Sequence, residues 1–433
     1  MFSLTDLFCG GGGSSEGATQ VPGVTVRMAA NHWRLAVDTH NANHPEADHD
    51  CADLSQVDPR RYPRTDGLWA SPSCTNHSVA RGKVADPEDV DAERSRATMW
   101  DVQRFAEQHR YRLVFVENVV EVRKWAGFRG WRVSMEDTGY CLHEVFLNSA
   151  HASIGGDAAN QWRDRWYCIG HPKGTACPDT DSITSPQGLC GYCERTTTAR
   201  QHWKDPKKRA GKYRAQYVYR CRDCGSVMEP YVRPAADIID WTLPAVRIGD
   251  RQALGMKGLA DKTLARIRLG LDKLGPAALI PVEGRDGKLP FGLDAPMRTV
   301  TTRAETGLAF IAELRGGGST TRPVGEPLAT VTASGNHHGL VVPYRSASLP
   351  RSAGEPLPTV TTVDSAGLIP EVAYRVEDCS FRMLQPEEYA AAMAFPGHYL
   401  WQGSKRDRVR LAGNAVTPPA ARDIVAAGIR SLG

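Results

Sequence analysis

Short apolar runs alternate with longer polar stretches from Phe2 to Gln187. The runs read FSLTDLF, VTVRMAA, GLWAS, YRLVFVENV, HEVFLN and RWYCIG. Each run ends in residues typical of turns, and the stretches between several of them have helical character. Strands that alternate with helices in this way are typical of a parallel sheet with helices on both faces. The sequence therefore predicts an α/β domain in this part of the chain.

The pattern changes between about Pro172 and Tyr374. A unit recurs there about every 30 residues, as DAPMRTVTT (294–302), GEPLATVTA (325–333) and GEPLPTVTT (354–362), and such a period indicates a repeated supersecondary unit. Proline, a β-branched run and glycine predict a short strand and a turn in each repeat. Helical patterning returns in the tail, where Pro386 fits the first position of a helix and LAGNAVTPPAARDIV predicts a turn before a closing helix.

These changes predict a division of the 433 residues into domains. We expect a first domain over 1–172, a second over 173–375 and a tail, 376–433, that completes the first. A chain of this length is long for a single core. We expect an intracellular protein, because no run approaches the roughly 20 apolar residues of a membrane span and MFSLTDLFCGG lacks a basic stretch. The net charge of +4 carries little information about partners.

A glycine-rich turn, DLFCGGGGSSEGA, follows the first predicted strand. Glycine lets the backbone approach a ligand closely, and the N-terminus of the following helix offers free N–H groups. The lysine of a phosphate-binding loop is absent, which favours a nucleoside ligand without a triphosphate, such as S-adenosylmethionine. Asp53, after a later apolar segment, is either a hydrogen-bond acceptor for an adenine amino group or a helix cap.

Three further groups are candidates for chemistry at strand ends. Cys74 lies in the polar turn of WASPSCTNHS and is either a nucleophile or a small buried side chain. Glu117 ends the strand YRLVFVENV, where a structural hydrogen bond is the alternative to a catalytic role. Gln161, Arg163 and Arg165 alternate, so in a strand they point to one face. Open α/β sheets bind ligands at the carboxyl ends of their strands, which favours the catalytic interpretation.

Four of the eleven cysteines form two CxxC pairs, 27 residues apart. Cys190, Cys193, Cys221 and Cys224 can supply the four thiolates of a structural zinc site, with His171 and Cys177 as spare ligands. Ten Lys and Arg residues lie between Arg195 and Arg222 against one acidic residue, Asp205, with aromatic residues among them. We predict a zinc ribbon over about 177–230 that presents this basic and aromatic stretch, with Lys207, Lys208 and Arg209, to a duplex; a solvated charged surface is the alternative.

A glycine loop, a strand-end cysteine, a strand-end glutamate, an alternating arginine pair and a terminal GNAV turn occur in one order. In this arrangement the chain resembles the DNA (cytosine-5) methyltransferases, over about half of its length. The resemblance implies a Rossmann-like methyltransferase sheet that uses S-adenosylmethionine, with a mostly β target-recognition domain. That domain would contain the zinc ribbon and, over about 290–365, the TVT repeats.

The resemblance also implies roles for single residues. Cofactor contacts would come from Phe8, Gly10, Gly12, Gly13, Asn31, Asp53 and Asn414. Cys74 would attack carbon 6 of a flipped-out cytosine, Glu117 would act at ring nitrogen 3, and Arg165 would hold the carbonyl oxygen. Arg163 would favour the thiolate, and Ser78 would lie near a DNA phosphate. Ser73, Thr75 and Asn31 depart from the usual residues of the family.

The expected function is therefore methylation of carbon 5 of cytosine in double-stranded DNA through a covalent Cys74 adduct. Two alternatives stay open: an RNA cytosine-5 methyltransferase, since a tRNA branch has similar motifs, and a DNA-binding protein with a decayed active site. We expect a monomer in the cytoplasm of a prokaryote, or one encoded by a phage. The sequence does not choose between restriction-modification and phage DNA protection.

Overall fold

The computed structural model describes residues 1–72, 90–274, 277–310, 341–343, 366–368 and 375–433. Its contacts divide the chain into two compact units. The first unit comprises Met1–Asp240, Leu293–Glu305 and Leu384–Gly433, and the second comprises Trp241–Gly292 and Thr306–Met383.

The strands, in chain order, are β1 (Phe2–Leu7), β2 (Val24–Asn31), β3 (Asp48–Cys51), β4 (Gly67–Ala70), β5 (Leu113–Asn118), β6 (Tyr140–Asn148), β7 (Asp164–Pro172), β8 (Gln187–Cys190), β9 (Arg195–Trp203), β10 (Tyr217–Cys221), β11 (Val227–Pro230), β12 (Val246–Arg247), β13 (Ala277–Pro281), β14 (Thr306–Phe310), β15 (Val341–Pro343), β16 (Ala366–Leu368) and β17 (Ser380–Met383). The α-helices are α1 (Gly13–Thr19), α2 (Arg34–Asn43), α3 (Val90–His109), α4 (Phe128–Asp137), α5 (Thr180–Ile183), α6 (Asp261–Leu274), α7 (Pro386–Ala392), α8 (Lys405–Asn414) and α9 (Pro418–Arg430).

A seven-stranded sheet forms the centre of the first unit, in the order β3-β2-β1-β4-β5-β7-β6. The first five strands are parallel, and the last two run antiparallel to their neighbours. This confirms the predicted α/β sheet. The antiparallel edge was not predicted. Parallel strands need a crossover connection, and the 15 residues between β6 and β7 form only a short 3-10 turn, so the two strands pair as a hairpin.

Both faces of this sheet are covered, as the continuous apolar runs require. Val114 and Val116 of β5 face a core that includes residues of α3 and α4, whereas Leu113 and Phe115 face a core built with α1 and α9. The tail therefore completes the first unit. In α1, Gly17 allows this packing, because a Cβ atom there would lie 2.1 Å from the Pro418 carbonyl oxygen.

Strands β8 to β11 close into a small antiparallel barrel that carries the CxxC pairs. Tyr217 and Tyr219 point into its interior and are completely buried, and their core is continuous with one face of the large sheet. The barrel therefore groups with the first unit, whereas the predicted boundary at 172 assigned it to the recognition domain. The prediction that the aromatic residues of this stretch face a duplex is wrong for these two tyrosines, because their rings are core residues.

The second unit contains a four-stranded sheet in the order β12-β17-β14-β13. Helix α6 packs on it through Ile267 and Leu271, against Ala278 and Ile280 of β13. Strands β15 and β16 pair with each other.

The first TVT repeat, 294–302, lies in the first unit and not in the second. It does not form the predicted strand: a single bridge joins Met297 to Gln161, and the rest of the repeat is irregular. Several of its hydrogen bonds go to the segment before β7: the Gln161 Oε1 accepts from the Val300 N–H at 3.0 Å, and the Trp162 N–H donates to the Met297 carbonyl oxygen at 2.8 Å. The second and third repeats, 325–333 and 354–362, lie outside the described residues. Of the helices that the structure describes, none is long and apolar enough to cross a membrane.

Candidate active site

Several predicted site residues lie at one edge of the large sheet, where its parallel strands end. Leu7 pairs with Ala30 and Ala70, and Ala70 pairs with Val116, so the residues that follow these positions share the carboxyl edge. Phe8, Asn31 and Glu117 are among them. Because β7 runs in the opposite direction, its amino end brings Arg165 to the same edge.

The glycine loop is a tight turn with left-handed backbone at Phe8, Gly10 and Gly12. The tail covers this loop: Tyr399 donates its hydroxyl to the Gly11 carbonyl oxygen at 2.7 Å. Gly13 has no room for a side chain, because a Cβ atom would lie 1.9 Å from the Val416 carbonyl oxygen, whereas a Cβ on Gly10 would meet nothing closer than 3.9 Å. The loop is therefore closed towards the tail and open at Gly10.

Asp6, which was not predicted from the sequence, joins the end of β1 to the start of α1. Ser14 and Ser15 donate their hydroxyls to its Oδ2 at 2.5 and 2.7 Å. Burial raises the pKa of Asp6 to about 7, although the two serine hydroxyls act in the opposite direction. The Ser15 hydroxyl also contacts the His40 Nε2 at 2.8 Å. The signal in the sequence was a carboxylate inside an apolar run, four positions before the first glycine of the loop.

The predicted cofactor residues outside the loop occupy three different environments. The buried Asn31 side chain accepts a hydrogen bond from the Trp33 N–H at 3.0 Å. Asp53 caps a short 3-10 helix, accepting from the Ser55 N–H at 3.2 Å, so the predicted cap is present. Asn414 is the exposed last residue of α8. Trp33 is a further aromatic residue at this edge that was not predicted from the sequence; it is half-buried, with the Arg410 guanidinium 4.5 Å from the centre of its ring.

Glu117 and Arg165 form an ion pair at the carboxyl edge. The Arg165 Nε lies 2.8 Å from a Glu117 carboxylate oxygen, and both side chains are nearly nine-tenths buried. The Tyr167 ring is buried beside them, and burial followed by the Glu117 charge raises the pKa of its hydroxyl. A carboxylate and a guanidinium held together in partial exclusion from water can contact adjacent polar atoms of a planar ligand.

Whereas Arg165 pairs with a carboxylate, Arg163 binds backbone carbonyl oxygens. Its guanidinium donates to the carbonyl oxygens of Val300, Gly413 and Ala415 at 3.2, 3.1 and 2.9 Å. It thereby links the residue directly before β7 to the first TVT repeat and to the GNAV turn of the tail. Gly413 is required at this junction, because a Cβ atom would lie 2.2 Å from the Thr301 carbonyl oxygen. The prediction that Arg163 also favours a thiolate stays a prediction.

Cys74 and Ser78 lie outside the described residues. The segment that leads to them is fixed at the same edge: Ser71 donates its N–H to the Leu7 carbonyl oxygen at 3.1 Å. Asn118 donates its amide N–H to the Pro72 carbonyl oxygen at 3.2 Å. Cys74 follows Pro72 by two residues in the sequence, and Asn118 follows Glu117 directly.

The four cysteines of the barrel come together as the CxxC spacing predicts. Their sulfur atoms all lie within 4.8 Å of one another, with Cys190 and Cys224 at 3.6 Å and Cys193 and Cys221 at 4.0 Å. Tetrahedral zinc with bonds of about 2.3 Å requires sulfur separations of about 3.8 Å, so this donor set fits the ion. Lys207, Lys208 and Arg209 are exposed in the loop between β9 and β10 of the same barrel.

Comparison with known proteins agrees with this fold. A model described as C-5 cytosine-specific DNA methylase matches residues 2–219, half of the chain. Similar solved structures include the Dnmt2 methyltransferase of S. pombe (TM-score 0.54, 13% identity, 100% of both chains) and the methyltransferase EhMeth of Entamoeba histolytica (0.52, 12%, 100% of this chain and 99% of that one). A prophage-encoded protein of E. coli assigned as a DNA modification methyltransferase gives 0.51 at 15% identity, over 100% and 99% of the chains. At these identities the structures show the fold alone. No curated protein matches.

Proposed function

The chain belongs to the C-5 cytosine-specific DNA methylase family, and we propose that it methylates cytosine in double-stranded DNA through a covalent adduct with Cys74. Methyl transfer to carbon 5 of cytosine is the activity of the family, with S-adenosylmethionine as donor. The observation that carries the proposal for this chain is the Glu117–Arg165 pair at the carboxyl edge. It lies beside the strand end that leads into the Cys74 segment.

Carbon 5 of cytosine is a weak nucleophile, so the ring must first be activated. The Cys74 thiolate would add to carbon 6, while Glu117 shares a proton with ring nitrogen 3 and the Arg165 guanidinium stabilises the carbonyl oxygen. The resulting enamine places electron density on carbon 5, which takes the methyl group. A base then removes the carbon 5 proton, and the thiolate leaves from carbon 6. The target cytosine must be flipped out of the duplex for these contacts to form.

The edge also offers groups that suit S-adenosylmethionine, which supplies the methyl group as an electrophilic sulfonium. The open side of the glycine loop at Gly10 leaves space for the amino-acid end of the ligand. Phe8 would stack on the adenine, and a carboxylate oxygen of Asp53 would accept from its amino group. Asn31 would contact the ribose through its amide, and Asn414 would approach from the tail.

Zinc in the barrel is part of the proposal, because four thiols at tetrahedral spacing match its preferred donors. The barrel holds its loop of exposed cations, Lys207, Lys208 and Arg209, on a rigid base. These side chains would contact DNA phosphates, which gives affinity without reading sequence. Ser78, by its match to the family pattern, would add a phosphate contact.

Adduct trapping tests the proposal. The protein is incubated with labelled S-adenosylmethionine and duplex DNA that contains 5-fluorocytosine in many sequence contexts, because fluorine at carbon 5 blocks the final elimination. We expect a stable labelled adduct that is lost in Cys74→Ala. An adduct formed with fluorocytosine RNA alone would instead support the RNA enzyme. Tight DNA binding without an adduct on either substrate would support the decayed binding protein.

A further inference from the structure

A second group of metal-binding side chains lies outside the four-cysteine barrel and the carboxyl edge. His143, His171 and Cys177 each offer one ligand atom, and these atoms lie within 4.8 Å of one another. His143 is in β6 and His171 is in β7, so the antiparallel hairpin brings the imidazoles together. Cys177 is contributed by the segment between β7 and α5. His171 and Cys177, which were expected as spare ligands for the barrel, therefore lie beside His143 instead.

The hydrogen bonds of His171 fix its tautomer. The Thr175 hydroxyl donates to the Pro172 carbonyl oxygen at 2.7 Å, so its oxygen can only accept from the His171 Nδ1, 2.8 Å away. Nδ1 therefore carries the proton and Nε2 has a free lone pair. A metal-bound histidine is typically oriented in this way, with its second nitrogen donating to an outer-shell oxygen.

The free lone pair points at the other imidazole. The Nε2 atoms of His143 and His171 are 2.9 Å apart, and the rings are stacked at 22°. Without a metal, His143 must turn an N–H towards His171. Two imidazole nitrogens on one tetrahedral zinc with bonds of about 2.0 to 2.1 Å are about 3.3 Å apart. A small movement of the two rings would therefore bring their Nε2 atoms to the separation that zinc requires.

We propose that His143, His171 and Cys177 bind a second zinc ion, separate from that of the four-cysteine barrel. Two imidazoles and one thiolate are ligands that zinc accepts, and three protein ligands leave a fourth position for water. His171 is buried, His143 is half-buried and Cys177 is exposed, so the site opens at the Cys177 side. Rotation of the exposed Cys177 side chain can bring its sulfur atom the short remaining distance to the ion. The ion fastens the segment before α5 to the edge of the large sheet.

Zinc analysis of the full-length protein tests this site. Two zinc ions per chain are expected in the wild type, and one in Cys177→Ser and in His143→Ala. Cys51→Ser, which removes a half-buried cysteine that belongs to neither cluster, should keep both. Equal zinc content in the wild type and Cys177→Ser would overturn the second site. Absence of zinc from the four-cysteine barrel can be distinguished from absence of the second site. In that case Cys190→Ala with Cys221→Ala would leave the zinc content unchanged.

Alkylation provides a readout that does not depend on zinc stoichiometry. In zinc-loaded wild-type protein, Cys177 should react slowly with iodoacetamide, and its rate should rise several-fold in His143→Ala or after chelation. Far-UV circular dichroism shows whether the variant is folded. A Cys177 rate that is the same with and without zinc, in the wild type and in folded His143→Ala, would overturn the proposal.

Discussion

At the scale of single residues, two arginines separated by one residue have different roles: Arg163 lies directly before β7 and Arg165 lies in it. Arg165 pairs with a carboxylate at the open edge, whereas Arg163 binds three backbone carbonyls in the interior. Their alternation in sequence predicts a shared face but cannot predict this difference. The partners of Arg163 lie 137, 250 and 252 residues further along the chain.

Replacement of Arg165 by lysine should slow methyl transfer while leaving the fold intact. Lysine keeps the charge but loses the planar fork that can bind Glu117 and a carbonyl oxygen together. We expect kcat to fall about 10²-fold to 10³-fold, as for other losses of a transition-state hydrogen-bond donor. The measurement is single-turnover transfer of labelled methyl to DNA. Arg112→Lys, at an exposed ion pair with Asp66, is the matched control, and equal rates in the two variants would contradict the assignment.

Replacement of Arg163 by methionine should instead destabilise the protein. The change leaves three buried carbonyl oxygens without this donor, and each costs about 1 to 3 kcal/mol. We expect the free energy of unfolding to fall by about 3 kcal/mol or more in urea titrations. Arg112→Met should change it by less than about 1 kcal/mol, because exposed ion pairs contribute little. A stable but inactive Arg163→Met would show that the residue acts mainly in catalysis.

At the scale of elements, the sequence predicted the strands and clusters that a regular spacing of residues marks. It did not predict features that depend on contacts between residues distant in the chain. The apolar runs predicted β1, β2 and β4 to β7, because continuous hydrophobic strands are required inside a sheet with two covered faces. They missed the edge strand β3, whose sequence DHDC is polar. The CxxC spacing gave the four-cysteine cluster. The prediction that the aromatic residues of the basic stretch face a duplex failed because alternation along β10 places Tyr217 and Tyr219 inside the barrel. Val218 and Arg220 lie on its outer face. Asp6 lacks any repeating pattern that would mark it.

The junction between β1 and α1 should make stability depend on pH. The pKa of Asp6 is raised from 3.8 to about 7 by burial. Between these values the native state binds more protons than the unfolded state, so stability falls as pH rises through this range. At 1.36 kcal/mol per pKa unit, the loss is at most about 4 kcal/mol. Asp6→Asn should remove this part of the pH dependence in urea titrations from pH 4 to 8; parallel curves for the two proteins would contradict it.

The four-cysteine barrel should depend on its metal. Cys190→Ala with Cys221→Ala removes one ligand from each CxxC pair, so we expect loss of one zinc ion per chain relative to the wild type. Tyr217 and Tyr219 then lose the constraint that closes the barrel around them, and near-ultraviolet circular dichroism should weaken. Cys51→Ser is the control, with zinc content and spectrum unchanged. A wild-type zinc content in the double variant would refute the site.

At the scale of the whole molecule, the small net charge conceals a local concentration of cations. The chain carries only +4 overall, yet Lys207, Lys208 and Arg209 are consecutive and exposed on one loop of the barrel. Phosphate contacts release counterions from DNA, and the binding constant then falls with salt in proportion to their number. A local cluster can therefore dominate binding that the net charge does not predict.

Simultaneous replacement of Lys207, Lys208 and Arg209 by alanine should reduce the slope of log binding constant against log salt by about 2.7, which is about 0.9 for each lost phosphate contact. The KM for DNA should rise, while kcat at saturating DNA stays the same because the Glu117–Arg165 pair is unchanged. The control replaces Arg27, Arg64 and Arg430, which are also exposed and carry the same total charge. If both triple variants lower the slope equally, net charge is the cause, and the loop then has no specific role in holding DNA.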